Sequence, residues 1–262
     1  MACYTLAPWS NRVAGAAFRW HGKEHRLFAD WPDGTAIHGL VKDQAWTIED
    51  RSPLSVSMKF RSREHLALGD FPWLFECVVN YELTPEGLAA DLELTHTAPT
   101  PAGPMPAGVG FHPFFPRCLE GETGSASLRF EPRGRYPVKD MIPVEQPALD
   151  ATCHALARCL PLGSATYDDV FFGSLHGAEI RWPGVTLAFS CSPALGHAVL
   201  YTGAPDPETG HMPGFFCLEP VSMVNDGFNL RERGWPDTGV ATLDPGASLS
   251  VRWALRVVST AT

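Results

Sequence analysis

Two stretches far apart in the chain carry the residues best suited to moving protons. The first is Gly108-Val109-Gly110-Phe111-His112-Pro113-Phe114-Phe115, which sets a single histidine between glycines and aromatics. The second is Cys217-Leu218-Glu219-Pro220-Val221-Ser222, which runs on into Asn225-Asp226-Gly227-Phe228-Asn229. A histidine titrates near neutral pH and can pass a proton in either direction. Pro113 restricts its predecessor to extended geometry, so His112 is expected on a strand or at its end. The aromatics beside it offer an apolar floor of the kind that stacks on a sugar ring. Taken alone, His112 reads first as a core histidine satisfied by structural partners. The downstream stretch is what gives the proton-transfer reading its weight.

Several further side chains can serve a site. Arg12, in Pro8-Trp9-Ser10-Asn11-Arg12-Val13, is either a surface charge or a forked donor to hydroxyls or carboxylates. His38 precedes Gly39, which suggests a tight loop with close backbone approach; the alternative is a solvated loop histidine. Asp168 and Asp169 stand before Val170-Phe171-Phe172, and on a strand they point to opposite faces, so only one can serve a pocket. The competing reading is a turn with solvated acids. Cys153, His154 and Cys159 match no standard metal spacing, and neither His-Glu-x-x-His nor a zinc-type pattern occurs, so no metal site is expected.

Composition narrows the classes. A net charge of -9 argues against a nucleic-acid partner held through its phosphates and weakly disfavours polyanionic substrates. Seven widely spaced cysteines, an odd count with no Cys-x-x-Cys, fit reduced thiols better than a disulfide framework. Residues 1–12 lack the pattern of a signal peptide, no apolar run reaches membrane-span length, and no Asn-x-Ser/Thr sequon is present. A soluble cytoplasmic protein without a membrane partner is expected; oligomeric state stays open.

The elements that must position these residues are strands. Twenty-four glycines and 24 prolines punctuate the whole chain, as in a turn-rich β protein, and no repeat or domain boundary stands out, so 262 residues are read as a single domain. His21-Gly22-Lys23 reads as a hairpin turn. Trp73–Leu83 and Leu88–Thr97 read as strands joined by Thr84-Pro85-Glu86-Gly87, the second alternating apolar and polar positions with period two. A proline-rich loop, Ala98–Pro106, leads into the His112 strand. Ala126–Phe130, Glu179–Ser192 and Ala198–Thr202 are further strands. Leu249, Val251, Trp253, Leu255 and Val257 make the clearest amphipathic strand, after a turn at Leu243–Gly246. The best helix candidate is Ala148–Leu160, with no clean cap at Asp150 or Ala151, and Arg231–Pro236 reads as surface loop.

In combination these pieces resemble the aldose 1-epimerase, or mutarotase, family. The 108–115 stretch resembles its His-Pro-aromatic-Phe strand, and Leu218–Ser222 through Asn229 its Glu-Pro motif with the following Asn/Asp and Phe-Asn. Pro8–Val13 resembles its Asn-Arg motif, His38-Gly39 its His-Gly turn, Asp168–Phe171 its acidic segment, and Leu243-x-Pro245-Gly246 its last turn. The motifs occur in family order and span nearly the whole chain.

The resemblance implies an all-β fold, a large antiparallel β-supersandwich with few short helices, and a sugar site on a concave sheet. It implies cofactor-free chemistry on a small-molecule sugar, most simply a free hexose. It also implies roles: Glu219 as base at the C1 hydroxyl, His112 as acid at the ring oxygen, His38 near that oxygen, and Arg12 and Asp168 on sugar hydroxyls. Three departures stand out. The Asn-Arg motif lies only ten residues in, where relatives carry further strands; this predicts unpaired edges with poor solubility or oligomerisation, against which a stable monomer by sedimentation would count. Lys42, after the His-Gly turn, leaves a hexose 6-phosphate open as substrate. His96-Thr97 stands where the family often has asparagine, with no role assigned. A non-catalytic carbohydrate-binding protein on the same fold is the alternative from another class.

Overall fold

The computed structural model describes residues 3–64, 71–101, 103–121 and 124–259. The chain is built from antiparallel strands in two large sheets, with smaller two-stranded sheets around them. The six-stranded sheet runs in the order Cys3–Leu6, Gly110–Pro116, Phe215–Val221, His197–Tyr201, Asp168–Phe172, Gly134–Arg135. The nine-stranded sheet has at its centre Val185–Cys191, Ser248–Ser259, Gly87–His96 and Phe75–Thr84. Cys3–Leu6 forms the outer edge of the six-stranded sheet and pairs there with the His112 strand.

The core lies between the two sheets. In the six-stranded sheet Phe111, Phe115, Phe171, Ala198, Leu200, Phe216 and Leu218 face inward, and all are buried. They meet Cys77, Leu92, Leu94, Phe189, Val251 and Trp253 of the other sheet in one apolar cluster. Ring contacts span the gap, Phe111 to Trp253 at 5.5 Å and Phe115 to Phe189 at 5.9 Å. Because side chains alternate along a strand, burying these residues forces their neighbours His112, Phe114, Cys217, Glu219, Val199 and Tyr201 onto the opposite face of the sheet. The core thereby orients the site.

Local signals account for most elements. His21 and Gly22 take positive φ of 48° and 78° between the paired strands Ala17–Trp20 and Lys23–Arg26, the geometry a two-residue hairpin demands. The expected strand 179–192 is in fact two, Glu179–Trp182 and Val185–Cys191, folded back at Pro183-Gly184.

Two further expectations are corrected. The helix is Ala151–Ala157, shorter than expected, and Asp150 does cap it by accepting the Cys153 N–H at 2.9 Å. Leu149, inside the expected span, lies outside the helix and is exposed. The surface loop expected at 231–236 is partly helical, because Gly227–Glu232 forms a second short helix that buries Phe228 and Leu230. His96 is a structural histidine: it is fully buried, and its Nδ1 lies 3.0 Å from the Leu243 carbonyl oxygen. No helix among the described residues is long and apolar enough to cross a membrane.

Candidate active site

Strand register places the candidate pair side by side. Gly110 lies opposite Val221 and Phe114 opposite Cys217, which sets His112 opposite Glu219 across these two neighbouring strands. Tyr4 lies opposite His112 on the outer side, and Val199 opposite Glu219 on the inner side. The result is one row across the sheet, Tyr4–His112–Glu219–Val199. The adjacent row holds Phe114, Cys217, Tyr201 and Asp168. Gly110 lets these two strands lie close: a Cβ there would lie 2.6 Å from Val221 Cγ1.

The wall over this floor comes from the first fifty residues. Arg12–Val13 pairs with Ala36–Ile37, and the His38 N–H donates to the Asn11 carbonyl at 2.9 Å. Gly39, at φ +77°, passes so near the chain that a Cβ would sit 2.0 Å from the Ala7 carbonyl oxygen. The His-Gly pair is therefore a close-approach turn, as its sequence suggests. Floor and wall enclose a cavity of about 420 Å³ lined by Tyr4, His112, Phe114, Asp168, Val199, Tyr201 and Glu219 below, and by Asn11, Arg12, Trp31, Ile37, His38, Lys42 and Asp43 above. All five side chains singled out for the site, Arg12, His38, His112, Asp168 and Glu219, line this one cavity.

The geometry at its base is tight. His112 Nε2 lies 3.3 Å from Glu219 Oε1. The His112 ring stacks on Phe114 at 4.8 Å and meets His38 edge-on at 5.0 Å. Glu219 is essentially unexposed, and its Oε2 has no hydrogen-bond partner among the described residues. His38 Nδ1 is likewise unpaired. Of the two acids, Asp168 faces the cavity while Asp169 is drawn off to Arg135, 2.9 Å away.

Burial dominates the electrostatics. It pushes the Glu219 carboxyl well above the ordinary range, a shift that nearby Asp168 reinforces and Arg12 opposes. The same burial lowers His112 to about 4 and holds His38 well below its usual value, there with help from His112, Lys42 and Arg12. Burial also raises Asp168, against the pull of Arg12. For the coupled pair His112–Glu219, both partners are driven toward their neutral forms, so the pair favours holding one proton between them.

The downstream motif has a second part that sequence reasoning left without a role. Asp226, in a left-handed conformation at φ 57°, donates its N–H to the Arg12 carbonyl at 2.6 Å. Its Oδ1 accepts from the Ala14 N–H at 3.0 Å and from Asn229 Nδ2 at 2.7 Å. Asn229 also donates to the Ala17 carbonyl at 2.9 Å. The 225–229 segment is a clamp that fixes the loop carrying Arg12. Asp226→Ala leaves the Ala14 N–H without its partner in a partly buried place, at a cost of about 1 kcal/mol. The variant should melt earlier and show a raised KM with kcat little changed, read from thermal denaturation and initial-rate kinetics; an unchanged KM would count against the clamp. Tyr4, Asn11, Trp31, Asp43 and Tyr201 were also not picked out as lining residues. Tyr201 was within reach of cross-strand reasoning; Trp31 sits in an irregular loop that carries no periodic signal.

The cavity, with His112 and Glu219 at its base, lies on the face of the six-stranded sheet turned away from the core of an antiparallel two-sheet fold. The comparisons give the family. The aldose 1-epimerase family profile matches residues 1–256, and the chain belongs to that family. Two uncharacterized Escherichia coli K12 proteins are related in sequence. YphB is 26% identical over 98% of this chain and 83% of its own length, and YihR is 30% identical over 88% and 75% respectively. Among solved structures, a galactose mutarotase-like protein of Clostridium acetobutylicum superposes with a TM-score of 0.84 at 19% identity, covering 99% of this chain and 80% of that one. A galactose 1-epimerase of Lactobacillus acidophilus does so with a TM-score of 0.75 at 16% identity, covering 98% and 80%. At such identities these likenesses bear on the fold, which is the galactose mutarotase-like supersandwich.

Proposed function

We propose that the protein, acting as one domain in the cytoplasm, is a mutarotase that interconverts the α and β anomers of a free hexose by opening and closing the sugar ring without a cofactor. The observation that carries this reading is the 3.3 Å approach of His112 Nε2 to Glu219 Oε1 at the base of the cavity. A hemiacetal opens when the C1 hydroxyl loses a proton and the ring oxygen gains one. Both oxygens are bonded to C1, so the base and the acid must stand next to each other. Glu219 takes the hydroxyl proton, His112 protonates the ring oxygen, the C1–ring-oxygen bond breaks and a carbonyl forms at C1. Rotation about C1–C2 and the reverse transfers close the ring on the other face.

The pair rests in its neutral form; turnover starts from the tautomer that carries the shared proton on His112, imidazolium beside carboxylate, and ends with that proton on Glu219, imidazole beside carboxylic acid. Its net charge is the same before and after, which suits a buried site of low polarity. His38, edge-on to His112, lies near the ring oxygen and orients it, while Arg12 and Asp168 bind hydroxyls and Phe114 and Tyr4 supply an apolar surface for the ring. The seven cysteines are free thiols, which supports a reducing compartment. Polarimetry of freshly dissolved α-D-glucose and α-D-galactose tests the proposal: the protein should speed the approach to anomeric equilibrium. A protein that binds either sugar without changing that rate would be a carbohydrate-binding member of the family.

A further inference from the structure

Two cations line the cavity, Arg12 and Lys42, and each is already held by carboxylates. Arg12 Nε donates to Asp33 Oδ2 at 2.9 Å. Lys42 Nζ lies 3.1 Å from Asp30 Oδ2 and is also paired with Asp43. Asp30 and Asp33 sit on one loop, and each divides its two oxygens in the same way. Asp30 Oδ1 accepts the Ile37 N–H at 2.8 Å, and Asp33 Oδ1 accepts the Thr35 N–H at 3.0 Å and its hydroxyl at 2.6 Å. One oxygen anchors the aspartate to the backbone and the other meets the cation, so the carboxylates are fixed before any ligand arrives.

The charge balance follows. The cavity lining holds Arg12 and Lys42 against Asp43 and Asp168, and Asp33 and Asp30 are each in contact with one of the two cations. An anionic group reaching either cation must lie beside an aspartate that cannot swing away without breaking its backbone bond. Like charges so placed cost several kcal/mol at interfaces, whereas a hydroxyl meets no such penalty. We infer that Asp30, Asp33 and Asp43 form a charge filter that reserves the cavity for uncharged sugars and turns away phosphorylated ones. This deepens the mutarotase reading and rests on it for the word sugar. Within the filter Asp33 is also a positioning residue, since its hold on Nε sets the direction of the remaining Arg12 donors.

The test is a gain of binding. Asn at position 30 keeps the Oδ1 acceptor for Ile37 and the Asp43 side chain is 72% exposed, and thermal denaturation of each variant checks that freeing Lys42 of its carboxylates leaves the protein folded. Wild type, Asp43→Asn and Asp30→Asn/Asp43→Asn are titrated calorimetrically with inorganic phosphate and with glucose 6-phosphate. Affinity for both should rise about tenfold in the single variant and further in the double, and the gain should shrink as salt is added. Equal affinity in all three proteins, or wild type that already binds phosphate as tightly as the variants, overturns the filter. Because this readout needs no turnover, the two ideas part cleanly. A gain of phosphate binding in a protein that never speeds anomerisation keeps the filter and removes the mutarotase. Turnover of glucose without the gain does the opposite.

Discussion

Glu219→Gln should lose anomer interconversion by about 10²–10⁴-fold in kcat while the protein becomes harder to melt. Glutamine fills the same space and keeps an oxygen near His112, but it cannot accept the C1 hydroxyl proton. Sugar binding should survive, so KM should change far less than kcat. The stability half follows from burial. Glu219 is 1% exposed with one oxygen unpaired, so its ionised form costs folding energy that the amide does not. The sign is that of a raised carboxyl. The folded state holds the proton more tightly, so stability is fully present below the ordinary value of 4.5 and is lost as pH rises through the raised value. The variant has no such loss. Its advantage in Tm should therefore be small in acid and widen toward neutral pH, as scanning calorimetry across that range would read. A variant that turns over normally would remove Glu219 from the chemistry, and one that melts earlier at neutral pH would show that the carboxylate was supporting the fold.

The same trade explains which parts of the protein were legible in its sequence. Strands whose one face is buried announce themselves by alternation, and Gly87–His96 follows that pattern from Ala90 to His96. The His112 strand is harder, because both of its faces are buried: Phe111 and Phe115 in the core, His112 under the cavity wall. There the flanking proline and glycines gave the geometry, and the periodicity was silent. Position within the pair Asp168-Asp169 was decidable in principle, since a strand sends the two to opposite faces, but which face held the cavity depended on register with His197–Tyr201. What could not be read was long-range: that Asp226 reaches back to Arg12 and Ala14, or that one irregular loop supplies both Asp30 and Asp33. Such contacts join loops with no period of their own. The missed cap at Asp150 was a local failure, since aspartate is among the best N-caps and the helix begins directly after it.

His112→Gln should cost a comparable factor and, more diagnostically, change the shape of the pH profile. The working pair holds one proton. Wild-type kcat/KM should fall in acid as a second proton joins the pair and fall in alkali as the single proton leaves, giving a bell whose limbs belong to the pair and not to either residue alone. Burial lowers His112 to about 4, so the acid limb should lie well below the ordinary imidazole value of 6.5. Without His112 the residual rate depends only on Glu219 being ionised, so it should rise with pH along a single limb and show no alkaline fall. Stability supplies an independent check. A lowered imidazole contributes stability that is fully present above 6.5 and is lost as pH falls toward about 4. That gap corresponds to about 3 kcal/mol. The glutamine variant should thus lose less Tm than wild type between those two pH values. A variant that keeps the wild-type bell would place the ring-oxygen acid elsewhere, and His38, edge-on at 5.0 Å, would be the next residue to replace.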